Sequence, residues 1–413
     1  MVKTIHFVVA FWGEVYAKAF SEYLMPSLLA PNNLPKLLDA PDVEGVLFIC
    51  TTIADLDRIS NNLIYAKLKE FVDIEFIDIG ERPIERAPSL HMSYGHKLAI
   101  SEVIKRKGYL SMLSPDAILA DGSVATVIEH VSRGKRCILF PALRFDEQKC
   151  VSELSGRGYL KTDEIINISC RELVDVGLDN MHSWQKTFEF DKPYFSNVAI
   201  MAYFPLPDLG IAVFHASWGI AAADLGSLPL DYLSDLDADT IDGHFIDRCF
   251  FAPEHDRVPK LLSDSDDFFM LPLTPGETMS CEHLMSEYEG EGSPQYMNDI
   301  KLLNIRIFVG SFMSNDFKRW AYKEPSILHK GELNEAARSR ISSKTDIILK
   351  AIEDPEEGPP VHFHLFANSM QEVAAINTVT FPSLLTRHNL GSKHISKGSS
   401  LTIYGEPSAL LKF

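Results

Sequence analysis

The stretch Pro115-Asp-Ala-Ile-Leu-Ala-Asp-Gly-Ser-Val124 decides how this chain is read. An apolar run at 117–120 ends in Asp121-Gly122-Ser123, and a helix-like pattern over 124–131 follows at once. A short run that is apolar at every position suits a strand covered on both faces, as in a parallel sheet packed between helices. The same alternation recurs on either side. Residues 7–11 are apolar and 14–29 have helical spacing; 46–49 are apolar, and Ile53, Leu56, Ile59 and Leu63 follow at helical intervals. Residues 74–79 alternate like a strand, 94–107 read as a helix, and 137–140 form one more buried run. The pattern predicts an α/β fold, with a mostly parallel, Rossmann-like sheet carrying helices on both faces.

Beyond Asp146 the pattern changes. Two apolar runs joined by Pro205-Leu-Pro-Asp-Leu-Gly210 predict a pair of strands and a turn. A helix is expected over 332–353 and a short strand at 361–366. With 413 residues the chain exceeds what one core usually serves. The expected division is a nucleotide-binding half over 1–150, an Asp-rich acceptor or catalytic half over 151–290, and a mixed α+β region over 291–413 with no role assigned.

The formal net charge of -18 argues against nucleic acid and anionic lipid as partners, although a local patch could still meet a membrane surface. The first apolar run is too short for a secretory signal and reads as a buried strand. No stretch reaches the roughly 20 apolar residues that span a bilayer. Six cysteines without CxxC spacing read as reduced, buried thiols. These features point to the cytoplasm.

In open parallel sheets ligands lie beyond the carboxyl ends of the strands. That rule gathers Phe11, Trp12 and Gly13, then Thr51 and Thr52, then Asp121, Gly122 and Ser123, then Pro141 and Arg144. Two readings of Asp121-Gly122-Ser123 stay open. In one, Ser123 caps the following helix, Gly122 allows the turn and Asp121 bonds to it. In the other, Asp121 faces a nucleotide diphosphate through a ribose hydroxyl or a divalent cation. The chain has no G-x-G-x-x-G, no P-loop and no G-x-S-x-G, so three common nucleotide and hydrolase signatures are absent.

Other candidates lie further on. Asp264-Ser265-Asp266-Asp267 contains Asp-x-Asp, and Asp239, Asp242, His244 and Asp247 fall within nine positions. His215 and Trp218 follow a strong apolar run, and His362 and His364 share one face of the late strand. His91 and His96 flank Met-Ser-Tyr-Gly, with His96 and Lys97 near the expected start of a helix, where anions bind well.

The segments 10–38, 114–139, 239–250 and 261–274, with Thr51-Thr52 after the second strand, resemble bacterial glycosyltransferase-type proteins with a GT-A-like fold. The resemblance implies a nucleotide-sugar donor and a glycan or other hydroxyl acceptor. It also implies an Asp-x-Asp that holds the donor diphosphate through Mg²⁺ or Mn²⁺. The matching position here is Asp121-Gly122-Ser123, which lacks the second carboxylate and so puts a metal role for Asp121 in doubt. On this reading Phe11, Trp12, Gly13, Thr51, Thr52, Asp121, Gly122, Ser123 and His215 bind donor or substrate, and Asp242 or Asp266 is the base. Two alternatives are a non-catalytic carbohydrate- or nucleotide-binding protein, and a metal hydrolase built on His215, Asp242, His244, His362 and His364.

Overall fold

The computed structural model describes residues 2–192, 195–196, 200–215, 218–228, 243–252, 258–278, 280, 301–302, 305, 315–352, 362–366 and 400–404. The strands in chain order are β1 (Lys3–Ala10), β2 (Val43–Thr51), β3 (Asp73–Asp78), β4 (Tyr109–Leu113), β5 (Ala117–Leu119), β6 (Cys137–Pro141), β7 (Phe145–Asp146), β8 (Met201–Leu206), β9 (Gly210–His215), β10 (Trp218–Asp224), β11 (Lys260–Leu261), β12 (Met270–Thr274), β13 (Ser326–His329), β14 (His362–Phe366) and β15 (Ser400–Tyr404). The helices are α1 (Glu14–Ala19), α2 (Met25–Leu28), α3 (Ile53–Ser60), α4 (Leu63–Leu68), α5 (Pro88–Arg106), α6 (Ser123–Ser132), α7 (Glu147–Gly156), α8 (Cys170–Asp179), α9 (Ser183–Lys186), α10 (Gly243–Phe250), α11 (Asn315–Lys323) and α12 (Glu335–Ile352).

The fold is α/β, centred on a seven-stranded sheet in the order β11-β6-β10-β4-β1-β2-β3. Strands β4, β1, β2 and β3 are parallel. β10 runs antiparallel to both β4 and β6, so β6, and with it β11, points the same way as the parallel strands. Strand alternation divides the core into two layers. Phe7, Val9, Leu47 and Ile49 face Phe20, Leu24 and Leu68 on the α1, α2 and α4 side. Val8, Ala10, Phe48 and Cys50 face Ala99, Ile100 and Val103 of α5 on the other. A third core joins α7 and α8 to β5, β8, β9 and β12.

Local chemistry sets the helix ends. Thr52 caps α3 and Asn62 caps α4, which splits the helical pattern after the second strand. Asp146 caps α7, and Ser169 with Glu172 forms a capping box on α8. Helix α1 runs through a π-helical turn, Phe20–Leu24, into α2, whose first turn carries Pro26.

The expected fourth strand is corrected. Residues 117–120 do not enter the parallel sheet; β4 at Tyr109–Leu113 does, and β5 pairs antiparallel with β12 in a separate sheet ordered β5-β12-β7. The expected hairpin is present as β8 and β9, extended by β13. Strands β14 and β15 pair in parallel. Strands from both sides of position 150 share the central sheet. The five described cysteines, Cys50, Cys137, Cys150, Cys170 and Cys249, are buried, and Cys281 lies outside the described residues. Among the described residues no helix is long and apolar enough to cross a membrane.

Candidate functional site

The parallel strands end at one rim, and β10, being antiparallel, begins there, with Trp218 opposite Pro141. Phe11 is buried on the α1 side against Phe20, with ring centroids 5.0 Å apart. Trp12 lies on the α5 side, its ring 4.7 Å from that of His91 at 75°. Gly13 has φ of 82°, and a Cβ there would meet nothing within 4 Å, so backbone conformation rather than space calls for glycine. Its N–H donates to Asp55 Oδ2 at 2.7 Å. Thr52 Oγ1 donates to the same oxygen at 2.9 Å and accepts from the Asp55 N–H at 3.2 Å. Arg58 completes the shell of this buried carboxylate. The loop after β1 is thereby tied to the start of α3.

Five buried side-chain polar atoms among the described residues have no partner: Thr51 Oγ1, His91 Nε2, His130 Nδ1, Trp218 Nε1 and Tyr322 Oη. Thr51 ends β2, Trp218 starts β10, and His91 touches Trp12, so three of the five stand at the rim. Each unmet group costs roughly 1–3 kcal/mol, so the rim holds hydrogen-bonding capacity that the fold itself leaves unused.

The carboxylate at the rim is Asp116, which the sequence reading passed over. β4 ends at Leu113, level with Val9 of β1, and Ser114-Pro115-Asp116 follows. Ser114 Oγ donates to Asp116 Oδ1. Burial raises the proton affinity of Asp116 against the opposing effects of Ser114 and the Arg144 charge. Glu147, in the first turn of α7, is raised by burial and then by the charges of Asp116, Glu277 and Asp146, with Lys18 opposing. Partial desolvation raises Tyr16, and Asp116 and Glu147 add to it. These groups share one electrostatic neighbourhood, suited to taking up a proton or a cation.

Asp121 lies elsewhere. The Asp116 carbonyl accepts from Leu273 N–H at one end of β12, and Ala120 N–H donates to the Phe269 carbonyl at the other. Five residues of extended chain separate the two aspartates by about 16 Å. Asp121 Oδ1 accepts from the Asn32 N–H at 2.7 Å and Oδ2 from Asn32 Nδ2 at 2.8 Å, so both oxygens are occupied. Gly122, at φ 96°, is the N-cap of α6. Ser123 is not the cap: it is buried as the first helical residue, its Oγ donating to the Phe269 carbonyl at 3.3 Å and accepting from the Phe269 N–H at 3.2 Å.

Asp266 is held by Arg171, with Nε at 3.0 Å and Nη2 at 2.7 Å, and this pairing lowers its proton affinity. His329 Nε2 lies 2.8 Å from Asp264 Oδ1 and 3.9 Å from Asp266 Oδ2, so Asp264, Asp266 and His329 are grouped as a cation could use them. This turn precedes β12 at the end remote from Asp116. His215 is a core residue, with Nε2 2.9 Å from the Ala142 carbonyl, and burial pushes its proton affinity down to about 4. Asp242 lies outside the described residues, as do Asp239 and the side chain of His244.

Helix α5 starts at Pro88, six residues before the expected Tyr94. His91 rather than His96 therefore stands near its N-terminus. Pro88 at the first helical position was the signal.

No protein-family model matches the chain, and no curated protein does. Comparison with solved structures gives local likenesses. One is to S. aureus TarS, at 12% identity and TM-score 0.24, covering 34% of this chain and 22% of that one. A second is to a putative glucose-1-phosphate thymidylyltransferase from Bacillus anthracis in complex with a sucrose, at 11% and 0.22, covering 35% and 57%. A third is to mouse xyloside xylosyltransferase 1 in its apo form, at 8% and 0.24, covering 39% and 61%. The matched region thus spans between about a fifth and three-fifths of those chains. All three likenesses are local, at TM-scores of 0.22 to 0.24 over 34 to 39% of this chain.

Proposed function

We propose that the chain is a glycosyltransferase that takes a sugar from a nucleotide-activated donor to a carbohydrate or other hydroxyl acceptor. The donor lies across the rim, with Phe11, Trp12, Gly13, Thr51 and Thr52 beneath its nucleotide. Glu147 takes the acceptor's hydroxyl proton as that oxygen bonds to the anomeric carbon. The bond from that carbon to the phosphate oxygen breaks, and its electron pair leaves with the nucleotide. Burial, and after it the charge of Asp116, raises the proton affinity of Glu147, which suits a base working nearer neutral pH. Asp266, paired with Arg171, is less basic than an ordinary carboxylate and is not used as the base in this proposal.

The observation that carries this reading is the set of unmet buried polar atoms at the carboxyl rim beside carboxylates of raised proton affinity. A fold does not retain such costs without a ligand to meet them as readily as it retains paired groups. The test is thermal stability against UDP, GDP, CDP, CMP and their sugar conjugates, with and without Mg²⁺ or Mn²⁺. A ligand at 100 times its Kd adds roughly 2.7 kcal/mol. One nucleotide family should shift the transition, and its sugar conjugate should then be turned over with an acceptor. Binding without turnover would favour the non-catalytic alternative, and no shift with any nucleotide would sink the proposal.

A further inference from the structure

Helix α5 overhangs the rim closely. A Cβ on Gly95 would meet Ile79 Cγ2 at 3.2 Å, Ala10 Cβ at 3.3 Å and Cys50 Cβ at 3.5 Å, at the ends of β3, β1 and β2. His91 stands four residues earlier on the same helix face, and helical side chains lean towards the N-terminus. Its ring is fully buried, against Trp12 and with Tyr94 stacked at 6.3 Å. Arg86 Nη1 lies 3.4 Å from His91 Nδ1. A guanidinium only donates, so Nδ1 accepts, and the single proton of the neutral ring is on Nε2. Burial favours that neutral form. The nearby Gly80 carbonyl opposes it, the Arg86 and Arg82 charges reinforce it, and Glu81 is the weakest influence.

Nε2 makes no hydrogen bond of normal geometry within the protein, although the Gly80 carbonyl interacts with the ring. It sits beside the first turn of a 19-residue helix, where amide N–H groups and the helix dipole favour negative charge. Arg86 also lies 5.0 Å from the Tyr94 ring, which holds the guanidinium beside this turn. A neutral donor, two guanidinium groups and a helix N-terminus converge at the end of β1, where the donor reading puts the nucleotide.

We propose that His91, Arg86, Arg82 and the first turn of α5 form the subsite for the diphosphate of the nucleotide donor, with His91 Nε2–H donating to a phosphate oxygen. This deepens the donor-site reading and rests on it. The subsite neutralises the charge that builds on the departing diphosphate, and it makes the preference for diphosphate over monophosphate a property of this helix end.

The test measures the affinity of the full chain for the nucleoside, its monophosphate and its diphosphate, in EDTA, using the base found by the stability panel. The unaltered protein should prefer the diphosphate to the nucleoside by about tenfold or more, as expected for one added charge-assisted hydrogen bond. His91→Phe and Arg86→Gln should each remove that preference while nucleoside affinity stays the same. His91→Gln presents an amide N–H near the Nε2 position and should restore much of it. Arg86→Gln keeps most of the packing and serves if His91→Phe fails to fold. A diphosphate preference that survives Arg86→Gln and whichever His91 variant folds, or that disappears in EDTA before any substitution, overturns the subsite alone. Absence of binding by every nucleoside and nucleotide overturns both this subsite and the donor reading beneath it.

Discussion

Asp121→Ala should cost folding stability and leave ligand binding intact. The carboxylate receives two hydrogen bonds from Asn32, at 2.7 and 2.8 Å. The Asn32 carbonyl in turn accepts from Ala125 N–H in the first turn of α6. Hydrogen bonds to charged groups contribute about 1.5–3 kcal/mol each where buried. Asp121 is half-buried, so the pair together is worth about 2 kcal/mol. At about 2–4 °C per kcal/mol for a folding unit of 150–250 residues, the transition should fall by roughly 4–8 °C. Asp121→Asn should lose well under half of that. Its carboxamide oxygen can still accept from the Asn32 N–H, and the Asn32 amide can turn to offer its own oxygen to the new NH₂. Differential scanning calorimetry of the three proteins, followed by titration with the nucleotide identified by the stability panel, reads both effects. An unchanged transition in Asp121→Ala together with lost nucleotide affinity would refute this reasoning and restore Asp121 to the ligand site.

Asp55→Ala removes a buried acceptor and strands the Gly13 N–H, so about 3 kcal/mol of stability and most of the nucleotide affinity should be lost together; chemical unfolding and a binding titration check it. Glu147 works as a base only when ionised, so kcat should fall as pH drops through its raised value. Asp116→Asn should move that acid limb to lower pH, and a limb that stays put would count against the pairing. Asp116 has its folded-state proton affinity raised above the unfolded value, so its contribution to stability is present at low pH and lost as pH rises through the folded value. Asp116→Asn should flatten that loss in thermal melts of the free protein. Asp266 is lowered instead, chiefly by Arg171, so its contribution is present above the unfolded value of 3.8 and lost as pH falls through the folded one. Asp266→Asn should remove that part of the acid-induced decline.

The first two strands were legible because Phe7, Val8, Val9, Leu47, Phe48 and Ile49 are buried on both faces and therefore apolar without alternation, and the third, at the sheet edge, because it alternates. β4 was not, because Ser111 interrupts it and it follows α5 after only two residues, Lys107 and Gly108. The purer run beside it, Ala117-Ile-Leu, owes its apolar character to two cores, Ala117 and Leu119 packing in the α1-side layer and Ile118 in the third, with β12 rather than the parallel sheet as its strand partner. That exchange of one strand for its neighbour moved the chosen carboxylate from Asp116 to Asp121. β10 reads Trp-Gly-Ile-Ala-Ala-Ala-Asp, with one β-branched residue, so its place in the middle of the sheet comes from tertiary pairing and not from propensity. Trp12, Gly13, Thr51 and Thr52 lie at or just beyond the carboxyl ends of β1 and β2, as the strand pattern predicts, while the place of His91 depends on the true start of α5.

The position of β10 also bears on how the protein is made. The sheet's middle is filled by a strand that leaves the ribosome about 80 residues after its neighbour β6. At roughly 5–20 residues per second, a nascent chain carries β4 and β6 with bare pairing edges for about 4–16 s. Such edges invite pairing with other chains. A fragment that stops near residue 150 keeps that gap for good, so cutting the gene at the apparent nucleotide-binding half should yield inclusion bodies rather than a working domain, and holdase chaperones should be most needed during this interval of translation.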